Sequence, residues 1–203
     1  VLLDQPVTKP EGLSTETAAA LVTVGEAAFR ALAHLNVKAG QTLLIHGAAG
    51  SVGTIAVQLA VARGITVIGT AAADDLEQVT ALGATAVRYG EGWAERVRAV
   101  APDGVGAVFD TSGAGVLAES VALAGDAAHV ITIADESAAE HGVRFTGADP
   151  ADRVPQARQE LAALAASGRL SVPIWRTYPL AEAARAHADL EAGLNHGKII
   201  LVP

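Results

Sequence analysis

The stretch Leu43-Leu44-Ile45-His46-Gly47-Ala48-Ala49-Gly50-Ser51-Val52-Gly53-Thr54-Ile55-Ala56-Val57-Gln58-Leu59-Ala60 decides the fold. An apolar run closes in a glycine-rich turn, and a helix-patterned run begins at once. Strand, turn and helix in that order suit a dinucleotide site. A helix start offers backbone N–H groups without intrahelical partners and the positive end of the peptide dipole, and both favour a pyrophosphate. Gly50 lacks a Cβ, so backbone there can approach phosphate oxygens closely, and Gly53 lets the new helix pack tightly on the strand. The first position of the G-x-G-x-x-G pattern is Ala48, with Gly47 beside it, so the strict fingerprint is broken. A tight turn that holds no ligand is the competing reading, and context decides between them.

The alternation that follows supplies the context. A helix is expected over Val52–Ala62, with Ile55, Leu59 and Ala62 stacked and Gly64 ending it. Ile65–Gly69 reads as a strand, and Asp74 and Asp75 open the next helix, where carboxylates complement the dipole. Leu76, Val79 and Leu82 face inward there and Gly83 stops the run. Ala86–Tyr89 is a strand and Trp93–Val100 a helix with Trp93, Val97 and Val100 at helical spacing. Ala107–Phe109 is a strand ending in Asp110, Val116–Leu123 a helix and His129–Ile133 a strand. Continuous apolar strands alternating with helices mean a parallel sheet covered on both faces.

Upstream, Val1–Pro10 reads as an end strand and connector. Ser14 caps a helix over Glu16–Leu21, and a second helix over Glu26–Leu35 leads to the first sheet strand, Thr42–His46. Downstream, Val143–Thr146 is an edge strand and Pro155–Ser167 a helix closed by Gly168. Ser171–Tyr178 is extended, with Pro173 confining it to an edge. Ala181–Ala192 is a helix closed by Gly193, and Lys198–Val202 a final strand.

Composition narrows the function. The 203 residues suit one domain, or one with an attached piece. Aromatics make up only 3% against 51% hydrophobic residues, so the core is built from Ala, Val, Leu and Ile. A net charge of −8 and a pI near 5.1 argue against a nucleic-acid or anionic-membrane partner. The absence of cysteine excludes disulfides, cysteine-ligated zinc and a thiol nucleophile for these residues. No apolar run of membrane-spanning length is expected, and a cytoplasmic protein is the default. The chain opens at Val1 directly in strand-like sequence and reads as a piece of a longer protein.

The segment Val37-Lys38-Ala39-Gly40-Gln41-Thr42 running into the turn through Gly53 resembles the medium-chain dehydrogenase/reductase superfamily, in its zinc-independent quinone oxidoreductase branch. Leu82-Gly83-Ala84, Val108-Phe109-Asp110-Thr111-Ser112-Gly113, His129-Val130-Ile131-Thr132-Ile133, Leu180-Ala181-Glu182-Ala183, His187 and Gly197-Lys198-Ile199-Ile200-Leu201 agree with it. The resemblance implies an α/β fold: a doubly wound parallel (Rossmann) sheet with a small C-terminal piece of a substrate domain. Residues 1–13 would end that substrate domain, 14–170 form the dinucleotide-binding domain, and 171–203 return to the substrate domain. Most of the N-terminal substrate portion would be missing, and turnover by this piece alone is doubtful.

The expected cofactor site gathers Ala49, Gly50, Ser51, Val52 and Gly53 at the turn with Thr70, Ala71 and Ala72 at the second strand end. Tyr89 matches an aromatic near the adenine end in relatives; a strand-end tyrosine packed at the surface is its other reading. By the resemblance, Thr111, Ser112 and Gly113, with Ile133, Ala134 and Asp135, border the nicotinamide end; a surface loop carboxylate is the other reading of Asp135. No carboxylate stands at the second strand end to repel a 2′-phosphate, which favours NADP over NAD. Relatives often place Lys or Arg shortly afterwards, where this chain has Asp74 and Asp75; Arg88 is a possible substitute or a solvated arginine.

No acid–base residue is convincing. His46 reads as a packed histidine, His187 as structural, and His196 and Lys198 as solvated. The segment Val22-Thr23-Val24-Gly25 carries no metal ligand where zinc-dependent relatives have one, and Glu26-Ala27 replaces the Leu-Thr pair usual in relatives. The expectation is NADPH-dependent hydride transfer to a quinone, enone or enoyl, or carbonyl substrate, by a homodimer paired through the edge strand. The alternative is a cofactor-binding module without turnover. A methyltransferase would want an acid near Ala71, and a short-chain dehydrogenase would want a Tyr-x-x-x-Lys pair, which is absent.

Overall fold

The computed structural model describes residues 8–147, 149–195 and 197–203. Most of the expected Val1–Pro10 strand and His196 lie outside these. The chain forms two compact units, Ala27–Val154, and Pro155–Pro203 with the residues up to Glu26.

Helix α1 runs unbroken over Thr15–Leu35, where two helices were expected. Ser14 is its cap, with Oγ accepting the Thr17 amide at 3.0 Å. Gly25 does not break the helix. A Cβ there would lie 2.9 Å from Leu21 Cδ1 and 3.0 Å from Leu161 Cδ1, so the glycine serves close packing. At 21 residues and a mean hydropathy of 1.3, α1 is long and apolar enough to cross a membrane, contrary to expectation. Ala20, Leu21, Val24, Ala28, Phe29 and Leu32 are nevertheless buried in the protein.

The larger unit carries a six-stranded parallel sheet. Its strands are β1 (Thr42–His46), β2 (Thr66–Ala71), β3 (Thr85–Arg88), β4 (Ala107–Asp110), β5 (Val130–Thr132) and β6 (Arg144–Phe145), in the order β3-β2-β1-β4-β5-β6. The order reverses between β1 and β4, and a ligand crevice forms outside the strand C-termini at such a point. Helices α2 (Ser51–Ala62), α3 (Leu76–Ala81), α4 (Trp93–Val100) and α5 (Leu117–Ala124) lie between the first five strands in sequence. Alternate strand residues Leu44, Ile68, Val87, Val108 and Val130 share one core cluster with Trp93, Val97 and Leu117. The expected inward positions Val100 and Ala62 are exposed, because each stands at the last residue of its helix, past the sheet.

In this sheet strand ends differ from expectation by at most two residues, and in the smaller unit the strand expected from Ser171 starts three residues later, at Ile174. β2 extends through Ala71, and β5 is only three residues long. The edge strand shrinks to Arg144–Phe145, since only Ile131↔Arg144 and Thr132↔Phe145 are in register before β5 ends.

In the smaller unit, α6 (Ala157–Ala166) precedes a parallel pair, β7 (Ile174–Pro179) and β8 (Lys198–Val202), joined through α7 (Ala183–Glu191). The buried Tyr178 directs its hydroxyl to Asp189 of α7, and the Arg176 guanidinium lies 4.3 Å from the Trp175 ring centroid.

Candidate cofactor site

The turn after β1 is fixed from three sides. Gly47 has φ +72°, and a Cβ on it would sit 2.7 Å from Thr111 Oγ1, so only glycine fits. Thr111 donates its hydroxyl to His46 O at 2.7 Å and its amide to the same oxygen at 3.1 Å, lashing the turn to β4. The Ala48 amide donates to Thr70 O of β2 at 2.9 Å. The methyl that breaks the fingerprint is fully buried, and it is housed by a glycine on the neighbouring strand: a Cβ on Gly69 would lie 2.6 Å from Ala48 Cβ. Gly53 is obligatory, because its Cβ would fall 2.1 Å from Gly47 O.

Gly50 is the N-cap of α2 and offers no side-chain acceptor. The first bond of the helix runs from Thr54 N to Gly50 O at 2.9 Å, so the amides of Ser51, Val52 and Gly53 precede the ladder without intrahelical partners. A Cβ on Gly50 would meet only Gly47 O, at 3.2 Å, so the space beside this residue is open.

A cleft of about 780 Å³ opens at the C-terminal ends of the central strands. Of the expected residues, Ala49, Gly50, Thr70, Ala71, Ala72, Tyr89 and Ser112 line it. Ser51, Val52 and Gly53 stand behind the rim in α2, and Thr111 is turned to the His46 carbonyl. Gly113, Ile133, Ala134 and Asp135 form a second group beside the cleft. A Cβ on Gly113 would lie 2.6 Å from Ala134 O, so these two loops abut.

Sequence reasoning missed the turn Gly90–Trp93, the loop Ala114–Val116, and the carboxylates Glu91 and Glu119, all of which line the cleft; Asp75, noted after the second strand, lines it too. The closely spaced Gly90 and Gly92, both with positive φ, were the available signal for the first. Among the described residues, no Lys or Arg lines it. Arg88 is exposed at its strand end. Arg96 fastens the rim from behind, donating to the carbonyls of Arg88 and Glu91 at 3.0 Å, Gly90 at 3.1 Å and Tyr89 at 3.3 Å. Tyr89, 56% exposed, stands on that rim.

His46 also lines the cleft, yet its ring is fully engaged. Ser120 Oγ donates its one hydrogen to Val116 O at 2.7 Å, so His46 Nε2 carries the proton donated to Ser120 Oγ at 3.1 Å. Nδ1 then accepts from Thr70 Oγ1 at 3.0 Å. Burial lowers the pKa to about 4 against the opposing pull of Asp110, so the ring is neutral at pH 7. Trp93 meets it edge-on, with centroids 4.5 Å apart. The arrangement is that of a packed histidine.

Asp110, fully buried at the end of β4, accepts from Ser112 Oγ (2.7 Å), Ser112 N (2.9 Å), Gly113 N (3.3 Å) and Thr132 Oγ1 (2.8 Å). Asp135 is committed too. It caps the following turn by accepting the Ser137 hydroxyl at 2.6 Å and amide at 2.9 Å, and these bonds hold its carboxyl below the ordinary range. The exposed His187 has no place in this cleft.

Residues 82–201, more than half of the chain, match the zinc-binding dehydrogenase family. The chain belongs to the medium-chain dehydrogenase/reductase superfamily. It is 28% identical to the quinone oxidoreductase of Homo sapiens over 95% of its own length and 64% of the relative's. It is 33% identical to the NorB protein of the Streptomyces orinoci spectinabilin polyketide synthase system, over 95% of its own length and 10% of that protein's. Among solved structures, the quinone oxidoreductase of Coxiella burnetii superposes with a TM-score of 0.81 and 31% identity, over 96% of this chain and 63% of that one. A mycobacterial protein, Rv1454c, complexed with NADPH gives 0.76 and 30%, over 96% and 66%. This member of the superfamily thus spans about 64% of the length of the curated quinone oxidoreductases it matches.

Proposed function

We propose that the cleft binds a nicotinamide dinucleotide, with NADPH as the physiological form, and that the chain is part of a cytoplasmic reductase. The observation that carries this reading is the uncapped α2 start, opening at Gly50 onto a cleft at the sheet's reversal point. Ala49 through Gly53 would hold the pyrophosphate, Thr70, Ala71, Ala72 and Tyr89 the adenosine end, and the loops after β4 and β5 the nicotinamide end. When bound, that cofactor supplies a hydride, and the protein supplies position and field. The proposed acceptor is a quinone, an enone or enoyl group, or a carbonyl. The relatives named quinone oxidoreductase support the first.

Residues 171–203 would return to a substrate domain, residues up to 13 would end it, and the exposed edge of β6 would pair two copies. A cofactor-binding role without turnover remains the alternative for this length of chain. A second reading of the cofactor is NADH, favoured by Asp75 in the cleft wall and the lack of a lining cation among the described residues.

Titration with NADPH and NADH by intrinsic fluorescence tests the assignment. A methyl at position 50 would meet only Gly47 O, at 3.2 Å, whereas a phosphate would lose its closest approach. Gly50→Ala should therefore weaken binding about tenfold or more with the fold intact. Equal affinity in that variant would remove the pyrophosphate from the turn. Tighter binding of NADH than of NADPH would favour the second reading.

A further inference from the structure

Every amide of the two triads beside the cleft is already committed within the protein. Thr111 N donates to His46 O and Ile133 N to Asp110 O, both at 3.1 Å. Ser112 N and Gly113 N go to the Asp110 carboxylate. Ala134 N and Asp135 N go to Thr132 Oγ1, at 3.1 and 3.0 Å. Thr132 is fully buried and saturated: its one hydrogen goes to Asp110 Oδ2, and its lone pairs take the two amides. One carboxylate therefore sets the loop after β4 directly and the loop after β5 through a single hydroxyl.

The geometry points to Asp110 and Thr132 as a positioning relay that fixes the two loops against each other and so sets the nicotinamide end of the site. This rests on the dinucleotide reading proposed above. Neither residue has hydrogen-bonding capacity left for a ligand, so neither touches the reacting atoms. With these six amides turned inward, none of them is left to offer an anion.

The test compares each dinucleotide with the same molecule lacking only the nicotinamide ring: NADPH with 2′-phospho-ADP-ribose, and NADH with ADP-ribose. Thr132→Val keeps shape and removes the hydroxyl. It should weaken the dinucleotide about tenfold while leaving the ring-less ligand within about twofold, and Thr132→Ser should restore the difference. Equal losses for both ligands, or no loss for the dinucleotide, would overturn the relay. Amide hydrogen exchange on the unaltered protein supplies an arm independent of any variant. Ser112, Gly113, Ala134 and Asp135 should exchange together and more slowly than the flanking loop amides, and fast exchange at Ala134 and Asp135 would also overturn it. If the unaltered protein binds none of the four ligands, the dinucleotide reading falls and the relay falls with it, an outcome distinct from a failure of Thr132→Val alone.

Discussion

The turn after β1 and the loops after β4 and β5 sit at the same edge of one sheet and treat their backbone amides in opposite ways. At the turn, Gly50 leaves the first α2 amides without a side-chain cap. At the loops, Asp110 and Thr132 absorb four amides and the backbone carbonyls of β1 and β4 absorb two more. One region is left with amides able to meet negative charge, and the other has none to spare. The polarity of a site is thus set as much by what a buried acceptor withholds as by which side chains face the ligand.

Four changes would break or sharpen this contrast. The largest effect is expected from Asp110→Ala. Ser112, Gly113 and Thr132 would lose a buried acceptor, for a stability loss of about 4 kcal/mol in urea unfolding. A loss below about 1 kcal/mol would mean the loops hold themselves. Gly53→Ala comes next, at about 3 kcal/mol, because a methyl 2.1 Å from Gly47 O forces α2 off β1.

Acid should act through His46, which stands between the two regions. Its folded pKa of about 4 lies below the unfolded 6.5, so the neutral ring favours the fold. That contribution is complete above pH 6.5 and drains away as pH falls towards 4, a loss of about 3 kcal/mol. Unfolding free energy measured across this range should show the decline, and His46→Asn should flatten it. The smallest effect belongs to Arg96→Ala, about 1 kcal/mol, because the four rim carbonyls it holds can turn to water. A thermal shift of only a few degrees is expected, with the β4 and β5 loops unaffected.

The strand and helix alternation was legible because each strand is a short apolar run closed by a turn residue, and family membership agrees with the motifs that suggested it. The expected break between two helices, at residues 22–25, is absent: Gly25 lies inside α1 and packs against Leu161, a neighbour 136 positions away. The cleft floor at Ala49, Gly50 and Thr70–Ala72 could be read from local grammar. The Asp110–Thr132 bond spans 22 positions and could not, although Asp followed by Thr-Ser-Gly is a turn signature that hinted at one half of it. The rim turn at Gly90–Gly92 was missed because its shape depends on Arg96, a residue that reads as an ordinary helix cation.

The Ala48–Gly69 pair has a consequence for how this chain can vary. Restoring glycine at 48 would empty the space its methyl fills, but it would not free position 69, where a Cβ would still lie 2.7 Å from Val79 Cγ1. The exchange therefore runs one way. A descendant that regained the missing glycine would keep Gly69 until Val79 also shrank, so the three positions should drift as a set.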